Sequence, residues 1–548
     1  MLAFCYYPII LSFAATPRVG PGAQRRRQVI VHTNFLAIIF WGIMRLTTLS
    51  KRHSSVSLLL ACSLTLLLTA CADFSGIDPQ SKLNDGSKLA AGKALNASSQ
   101  IAWPTSAWWQ VYRDPQLDAL VQQAIADSPN LKMAQARIRQ ATALAGSARS
   151  ATLPKVGMEA SATRGLYSSE YIFPPPLGGS WNWDNEFAVK ASYDLDLWDK
   201  DRSALESALD TVQVSAAEAR SAQLNLEVAV VRGYLQLATQ YALRDIAAST
   251  LAQQTALADI ARRRLGAGLG TRLEVSQAET VLPDAQANIE KIDENIALLR
   301  NQIAALSGKG PGSGDAIQRP ALAANMIGAD HSSSLPIGLP DNVPAHLIGR
   351  RPDVIAQRWR VEAMSKNIDV AKASFYPDIN ISAFIGLQAL GFTNFLSAAS
   401  GVRGAGPAIS LPIFDGGRLR ANLGAQTAAL DGAIESYNNT LVQALQSVAD
   451  QIVKLKSEQQ QRQQSEQALA LAGKSYDLAK RGYQAGLTAY INVIQTQLTL
   501  LQQQQRVAQT RASYLDSWAQ LMQALGGGLG DDLPQPGMTD VTAVDAKK

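Results

Sequence analysis

The chain has 548 residues, 47% of them hydrophobic, and a formal net charge of +5. All of the basic excess lies before position 71, since residues 71–548 hold 43 basic and 45 acidic side chains. Without its leader the chain has no general attraction for polyanions, so composition excludes nucleic acid as a partner.

The first predicted element is a lipoprotein signal peptide. An apolar run, residues 56–68, follows three basic residues at 45–52 and ends in "LTAC", residues 68–71. The run is too short to span a bilayer as a helix. Its end resembles the bacterial lipobox, in which the cysteine is lipidated and becomes the first residue. We therefore expect a covalent lipid on Cys71, since two or more acyl chains make a stable membrane anchor. No other cofactor is expected.

Cysteine usage supports this interpretation over a disulfide. The three cysteines are Cys5, Cys62 and Cys71, and the first two would leave with the signal peptide. A start at Met44 gives the signal peptide an ordinary length, which makes residues 1–43 a product of an upstream start.

The rest of the chain is a tandem repeat. Residues 128–161 align with residues 351–384 without a gap, "LDLWDKDR" (195–202) aligns with "LPIFDGGR" (411–418), and Gly268 aligns with Gly486. The aligned prolines are Pro129 with Pro352 and Pro154 with Pro377.

Each repeat predicts a helix, then two strands whose apolar and polar residues alternate. This alternation fits a barrel wall between lipid and lumen, and a half-buried soluble sheet gives the same pattern. The predicted apolar rows are Phe187, Val189, Ala191, Tyr193, Leu195 and Leu197; Ile379, Ile381, Ala383, Ile385 and Leu387; and Ala405, Pro407, Ile409, Leu411 and Ile413.

Two proline-free runs, residues 203–265 and 419–483, predict helices roughly 95–100 Å long. Glycine-bearing segments near 266–271 and 484–488 predict hairpin tips, after which the helices return through 272–307 and 489–525. Since no later apolar run could span a membrane as a helix, a crossing would need strands. Four strands cannot close a barrel alone, so closure would require several copies.

These features together resemble the TolC-like outer-membrane factors, and specifically the NodT-type lipoproteins of tripartite efflux systems. The resemblance covers residues 71–530. Besides the lipobox and the tips, it rests on four segments. They are "WWQVYRDPQLDALVQQAI" (108–125), "GRRPDVIAQRWRVEA" (349–363), "AKASFYPDINISAFIGL" (371–387) and "LPIFDGGRLRANL" (411–423).

The resemblance implies an α+β membrane fold with four strands per chain, a homotrimer with a 12-stranded barrel in the outer-membrane lipid, and a helical tunnel in the periplasm. It also implies passive conduction of drugs, dyes or aromatic acids, driven by an inner-membrane pump through a periplasmic membrane-fusion adaptor. The adaptor would dock on the tips, at Arg264, Gly268, Leu269 and Glu274 in the first hairpin and Arg481, Gly486, Leu487 and Thr488 in the second.

A periplasmic gate is expected just after the second tip. Tyr483 matches a tyrosine of related gates, whereas Asn492 and Gln495 stand where relatives have aspartates. With Glu274 as the only nearby acid at the matching turn, we expect weaker cation selectivity than in aspartate-ringed relatives. Asn492 and Gln495 could instead lie on the outer helix face, without effect on conduction.

Further aromatic residues are expected at the membrane surface. Tyr167, Tyr171, Trp181 and Trp183 lie in or beside the first loop between strands and are typical of an outer belt. A buried aromatic cluster is the alternative.

No catalytic constellation is recognisable. After position 71 only His331 and His346 occur, with no second cysteine, so we expect neither a metal site nor an enzyme. The rival functions are a coiled-coil structural or adhesive lipoprotein without a channel, and a periplasmic adaptor, which would lack barrel strands.

The expected organisation follows from these elements and, for the equatorial linker, from the resemblance. It comprises the upstream segment 1–43, the signal peptide 44–70, the lipidated tether 71–105, the first repeat 106–307, an equatorial linker 308–345, the second repeat 346–527 and a C-terminal tail 528–548.

Overall fold

A computed structural model describes residues 73–85, 105–170, 172–327 and 350–528. The chain divides into two units, 1–73 and 74–548, and every element described here belongs to the second. Its helices are α1 (Pro115–Asp127), α2 (Pro129–Ala151), α3 (Lys200–Gly266), α4 (Arg272–Leu306), α5 (Leu322–Ile327), α6 (Pro352–Ala373), α7 (Arg418–Gln484) and α8 (Tyr490–Leu525). Its strands are β1 (Lys155–Leu166), β2 (Trp181–Leu195), β3 (Asp378–Leu390) and β4 (Gly401–Ser410).

The predicted repeat is visible in the order of the elements. Pro129 and Pro352 begin α2 and α6, where a proline loses no helical hydrogen bond. Pro154 and Pro377 directly precede β1 and β3. Each repeat therefore reads helix, strand, strand, long helix, tip and returning helix, which confirms the predicted duplication.

The two long helices have equal length. α3 and α7 contain 67 residues each and extend about 100 Å at 1.5 Å per residue. α3 packs against α2, α4, α6 and α8, and α7 packs against α6 and α8. Small residues allow this close packing: a Cβ on Gly233 would lie only 3.3 Å from Ile303 Cγ1. The predicted bounds are confirmed to within three residues.

The four strands form one antiparallel sheet in the order β1-β2-β3-β4. Register places Met158, Val189, Ile385 and Arg403 side by side across the sheet. The even-numbered residues of β1 share this side with the odd-numbered residues of the other strands. We call it the apolar face, and its large side chains are mostly exposed.

The opposite face of the sheet is polar. Lys190 Nζ lies 2.5 Å from Glu159 Oε2 and 3.3 Å from Glu186 Oε1. Lys155 pairs with Asp194 at 3.6 Å. The alternation predicted from sequence thus separates an apolar side from a charged one.

The prediction was wrong at the ends of two strands. β4 ends at Ser410, so Leu411 and Ile413 lie outside it, because Pro412 has no N–H for a ladder bond. Asp415 then accepts hydrogen bonds from the Gly417 and Leu419 amides and starts α7. Leu197 likewise follows the last residue of β2.

A segment without regular secondary structure, residues 74–85, lies along α7. Arg420 Nη2 donates to Ser75 O at 2.9 Å, and the Gln80 and Ser81 amides donate to Asp431 Oδ1 at 3.0 and 2.9 Å. Further along, the Asn84 amide donates to Asn438 Oδ1 at 2.8 Å. The segment therefore runs from the sheet end of α7 toward its middle.

Within the described ranges, no helix is long and apolar enough to cross a membrane.

Candidate functional site

The first hairpin tip joins α3 to α4. Gly268 has φ = 71°, and the Leu269 amide donates to Arg264 O at 2.8 Å, which closes the end of α3. The Thr271 hydroxyl accepts from the Glu274 amide at 3.2 Å and caps α4. Both hydrogen bonds join residues close in sequence, so the conformation of the tip is determined locally.

The second tip has nearly the same backbone. Gly486 has φ = 75°, and the Leu487 amide donates to Gly482 O at 2.8 Å, as the aligned residues do in the first tip. Ala489 stands at the helix start and caps nothing with its side chain. The two tips thus share a turn and differ in their caps.

The hairpins pack against each other just behind their tips. A buried cluster, which we call the inter-hairpin cluster, joins side chains of all four helices. It contains Leu257, Ala258, Ala261, Ala278, Tyr476, Tyr483, Tyr490 and Val493.

Tyr483 lies at the centre of this cluster and is 1% exposed. Its ring centroid lies 5.3 Å from that of Tyr490 and 4.8 Å from the Arg264 guanidinium carbon. Burial raises the pKa of Tyr483, and it raises the pKa of Tyr490 to about 12. Both phenols are therefore neutral at physiological pH, and Arg264 brings the only formal charge of this trio.

Polar atoms near the cluster are incompletely satisfied. Among the described residues, Tyr483 Oη, Arg264 Nε and Glu274 Oε2 are buried without a hydrogen-bond partner. Arg264 Nη2 does donate to Leu269 O at 3.0 Å. Unsatisfied buried polar atoms cost free energy, so the packing of these tips is less stable than a fully paired one.

The side chains predicted to dock an adaptor are mostly exposed. Leu269 and Leu487 are 70% and 81% exposed, and a Cβ on Gly268 or Gly486 would touch nothing within 4 Å. In the second tip Arg481 lies 3.7 Å from Asp477, and Thr488 Oγ1 donates to Ala479 O at 3.5 Å. Glu274 is half-buried.

The structure separates the three predicted gate residues into two environments. Tyr483 is packed inside one chain, whereas Asn492 and Gln495 are exposed on α8. The two amides lie on the side of α8 away from the buried Val493. A single chain does not test the gate, which stays a prediction.

Sequence reasoning missed several residues of this site. A Cβ on Gly270 would lie 3.1 Å from Glu274 Oε2, and one on Gly482 would lie 3.1 Å from Thr488 Cγ2. Both glycines permit this close approach, and neither has a positive φ. The seven-residue spacing of Tyr476 and Tyr483, two turns on one helix face, was the signal for the buried cluster.

Two predicted belt residues lie on the apolar face, at the loop end of β2. Trp181 and Trp183 are exposed there, and Trp183 packs on Phe392 at 5.4 Å. Tyr167 instead packs against Phe173 within its loop, at 4.9 Å.

Other predictions fall on residues outside the described ranges. They concern the lipid site Cys71, Tyr171, His331 and His346. Within those ranges, no group of three or more His, Cys, Asp or Glu could hold a metal ion.

Comparison with known proteins decides the family. The model of the outer membrane efflux protein family matches residues 120–309 and 343–527, which are the two repeats. The chain belongs to this family.

Similar proteins and solved structures agree with this family assignment. The chain is 48% identical over 372 residues to the fusaric acid resistance protein FusA of Burkholderia cepacia, covering 67% of this chain and 68% of FusA. It is 29% identical to the multidrug resistance outer membrane protein MdtQ of Escherichia coli O157:H7, covering 86% of this chain and 98% of MdtQ.

Among solved structures, the outer membrane protein VceC of Vibrio cholerae is similar with a TM-score of 0.70 and 33% identity, covering 78% of this chain and all of VceC. The Campylobacter jejuni CmeC outer membrane channel is similar in fold, with a TM-score of 0.73, 19% identity and coverage of 82% and 95%. The predicted TolC-like α+β fold is confirmed, and the protein is an efflux duct of the outer membrane.

Proposed function

We propose that three copies of this chain form a passive exit duct of a tripartite pump, with a 12-stranded barrel in the outer membrane and a helical tunnel in the periplasm. One observation carries the proposal: a four-stranded sheet with free edges on β1 and β4 continues into helices about 100 Å long. Joining β4 of one copy to β1 of the next would pair both edges and close a barrel.

The face pattern of the sheet supports this arrangement. The apolar face would meet lipid, and the face with Lys190, Glu159 and Glu186 would line the water-filled lumen. Such a duct binds no nucleotide and catalyses no reaction in this proposal, since family members are channels.

We propose Cys71 as the lipid anchor. The described chain begins two residues later, and the Phe74 ring packs edge-on against Phe375 at 5.0 Å, just before β3. Residues 75–84 then follow α7 away from the sheet. A lipid carried by Cys71 would then enter the membrane that holds the sheet.

The tips are proposed to bind a periplasmic adaptor, which couples the duct to an inner-membrane pump. Leu269 and Leu487 present two exposed apolar side chains on matching turns, a recurring feature that a repetitive partner could recognise. Because FusA is named for fusaric acid resistance, we propose aromatic carboxylic acids, with other small toxic compounds, as substrates.

An efflux assay tests this function. Cells lacking their own outer-membrane ducts, supplied with a matching adaptor and pump, would express the full chain or a variant lacking both tips, and fusaric acid retention would be measured. The proposal expects retention to fall only with the full chain. Retention that stays as high with the full chain as with the variant, despite equal amounts in the outer membrane, would refute it and favour a structural lipoprotein without a channel.

A further inference from the structure

Two arginines lie on the apolar face of the sheet. Arg164 is the Cα partner of Trp183 in the β1–β2 ladder, and Arg403 is the partner of Ile385 in the β3–β4 ladder. Each lies two residues from the loop end of its strand, since β1 ends at Leu166 and β4 begins at Gly401. Both are therefore near the end of the sheet that lies away from the long helices.

Neither arginine is neutralised within the described part of the chain. The Arg164 guanidinium lies 5.9 Å from the Trp181 ring centroid, and no carboxylate of a described residue lies within ion-pair distance of either side chain. The acids of β1 and β2 lie on the polar face, where Asp194 pairs with Lys155 and Glu159 pairs with Lys190. Two exposed cations thus remain on an otherwise apolar surface.

Depth in the membrane explains why this arrangement is tolerated. An arginine on the lipid side of a barrel strand is costly at the midplane and nearly neutral close to the interface. Trp181 and Trp183 mark that interface, because indole rings concentrate at headgroup level. A guanidinium there reaches headgroup phosphates and binds them through two parallel hydrogen bonds.

The arginines lie on the two edge strands, β1 and β4. In the proposed barrel, β4 of one copy adjoins β1 of the next, so Arg403 and the neighbour's Arg164 border the same seam. We propose that each seam binds the phosphate groups of a phosphorylated glycolipid, such as lipid A, in the outer leaflet. This inference rests on the proposed trimeric duct.

The test is lipid binding to the detergent-purified full-length protein, counted by native mass spectrometry during titration with diphosphorylated lipid A. The parent should bind it at least about tenfold more tightly than the dephosphorylated form, because the ligand charge is what the arginines recognise. The double variant Arg164→Gln with Arg403→Gln should lose this preference. Lys155→Gln, which removes one charge from the polar face of β1, should keep it.

Inorganic phosphate distinguishes a lipid from a free anion. Added in excess, it should not displace lipid A from the parent, because the acyl chains contribute contacts on the apolar face. Displacement at comparable concentrations would overturn the lipid assignment, as would equal lipid A binding by the parent and the double variant. If the double variant does not form trimers, Arg403→Gln alone should weaken binding about threefold or more, and unchanged binding would again overturn the proposal.

Failure of the proposed duct is recognised separately. A protein that never conducts ions in a planar bilayer, either with its tips or with both tips removed, contradicts the duct, whatever its lipid binding. A conducting parent with no phosphate preference contradicts only the lipid site.

Discussion

Glu227, in the middle of α3, provides a quantitative test of the packing around that helix. Its side chain is fully buried, accepts a hydrogen bond from Trp108 Nε1 at 3.3 Å, and accepts one from Gln223 Nε2 at 2.9 Å. Burial raises the pKa of Glu227 to about 7, against the opposing effects of these two donors and of Arg220. Replacement by glutamine keeps the shape and removes the titration.

The sign and size of the effect follow from the pKa. A folded-state pKa above the unfolded value means that stability is complete below about pH 4.5 and falls as the pH rises through 7. The rise of the pKa from 4.5 to about 7 corresponds to about 3 kcal/mol of stability per chain at pH 8. Glu227→Gln should therefore stabilise the protein at pH 8 and alter its stability much less at pH 5.

The assay is the apparent melting temperature of the purified protein between pH 5 and 8. The parent should lose more stability with rising pH than Glu227→Gln does. Glu218→Gln is the control, because Glu218 lies on the same helix but is exposed and paired with Arg360 at 2.6 Å. Its effect should be small at every pH. Parallel melting curves for the parent and Glu227→Gln would refute the reasoning.

Three further predictions concern the tips, the gate and the anchor. Replacing Gly268 or Gly486 with Val places a branched side chain at a positive φ, which costs about 1–2 kcal/mol. Each variant should lose efflux while the trimer and the barrel persist. Unchanged drug resistance in both variants would exclude adaptor docking at the tips. The double variant Asn492→Asp with Gln495→Asp should be more cation-selective than the parent, as measured by reversal potentials in a salt gradient, and more strongly blocked by multivalent cations. Identical selectivity of the two channels would contradict the predicted gate. Cys71→Ala should abolish fatty-acid labelling, and persistent labelling would place the lipid elsewhere.

The long helices and tips could be predicted from the sequence because their determinants are local. Proline-free runs predict α3 and α7, and each run ends at a glycine-bearing tip. The duplication made each repeat a check on the other. The apolar rows of β2 and β3 could also be predicted locally, because side chains alternate between the two faces of a strand with a period of two.

Packing between hairpins could not be predicted, because helical periodicity identifies a buried face without its partner. Tyr483 was assigned to the gate by resemblance, and only the structure shows it among Arg264, Tyr490 and the other cluster residues. Glu227 has no local signal either: its burial depends on Trp108, which lies 119 residues earlier.

Closure of several copies of this chain around an open duct can be tested by ion conductance of the purified full-length protein in a planar lipid bilayer. We expect stepwise insertion of channels of uniform conductance. A correctly folded trimer that inserts into the bilayer and never conducts, even with both tips removed to open the periplasmic end, would contradict it.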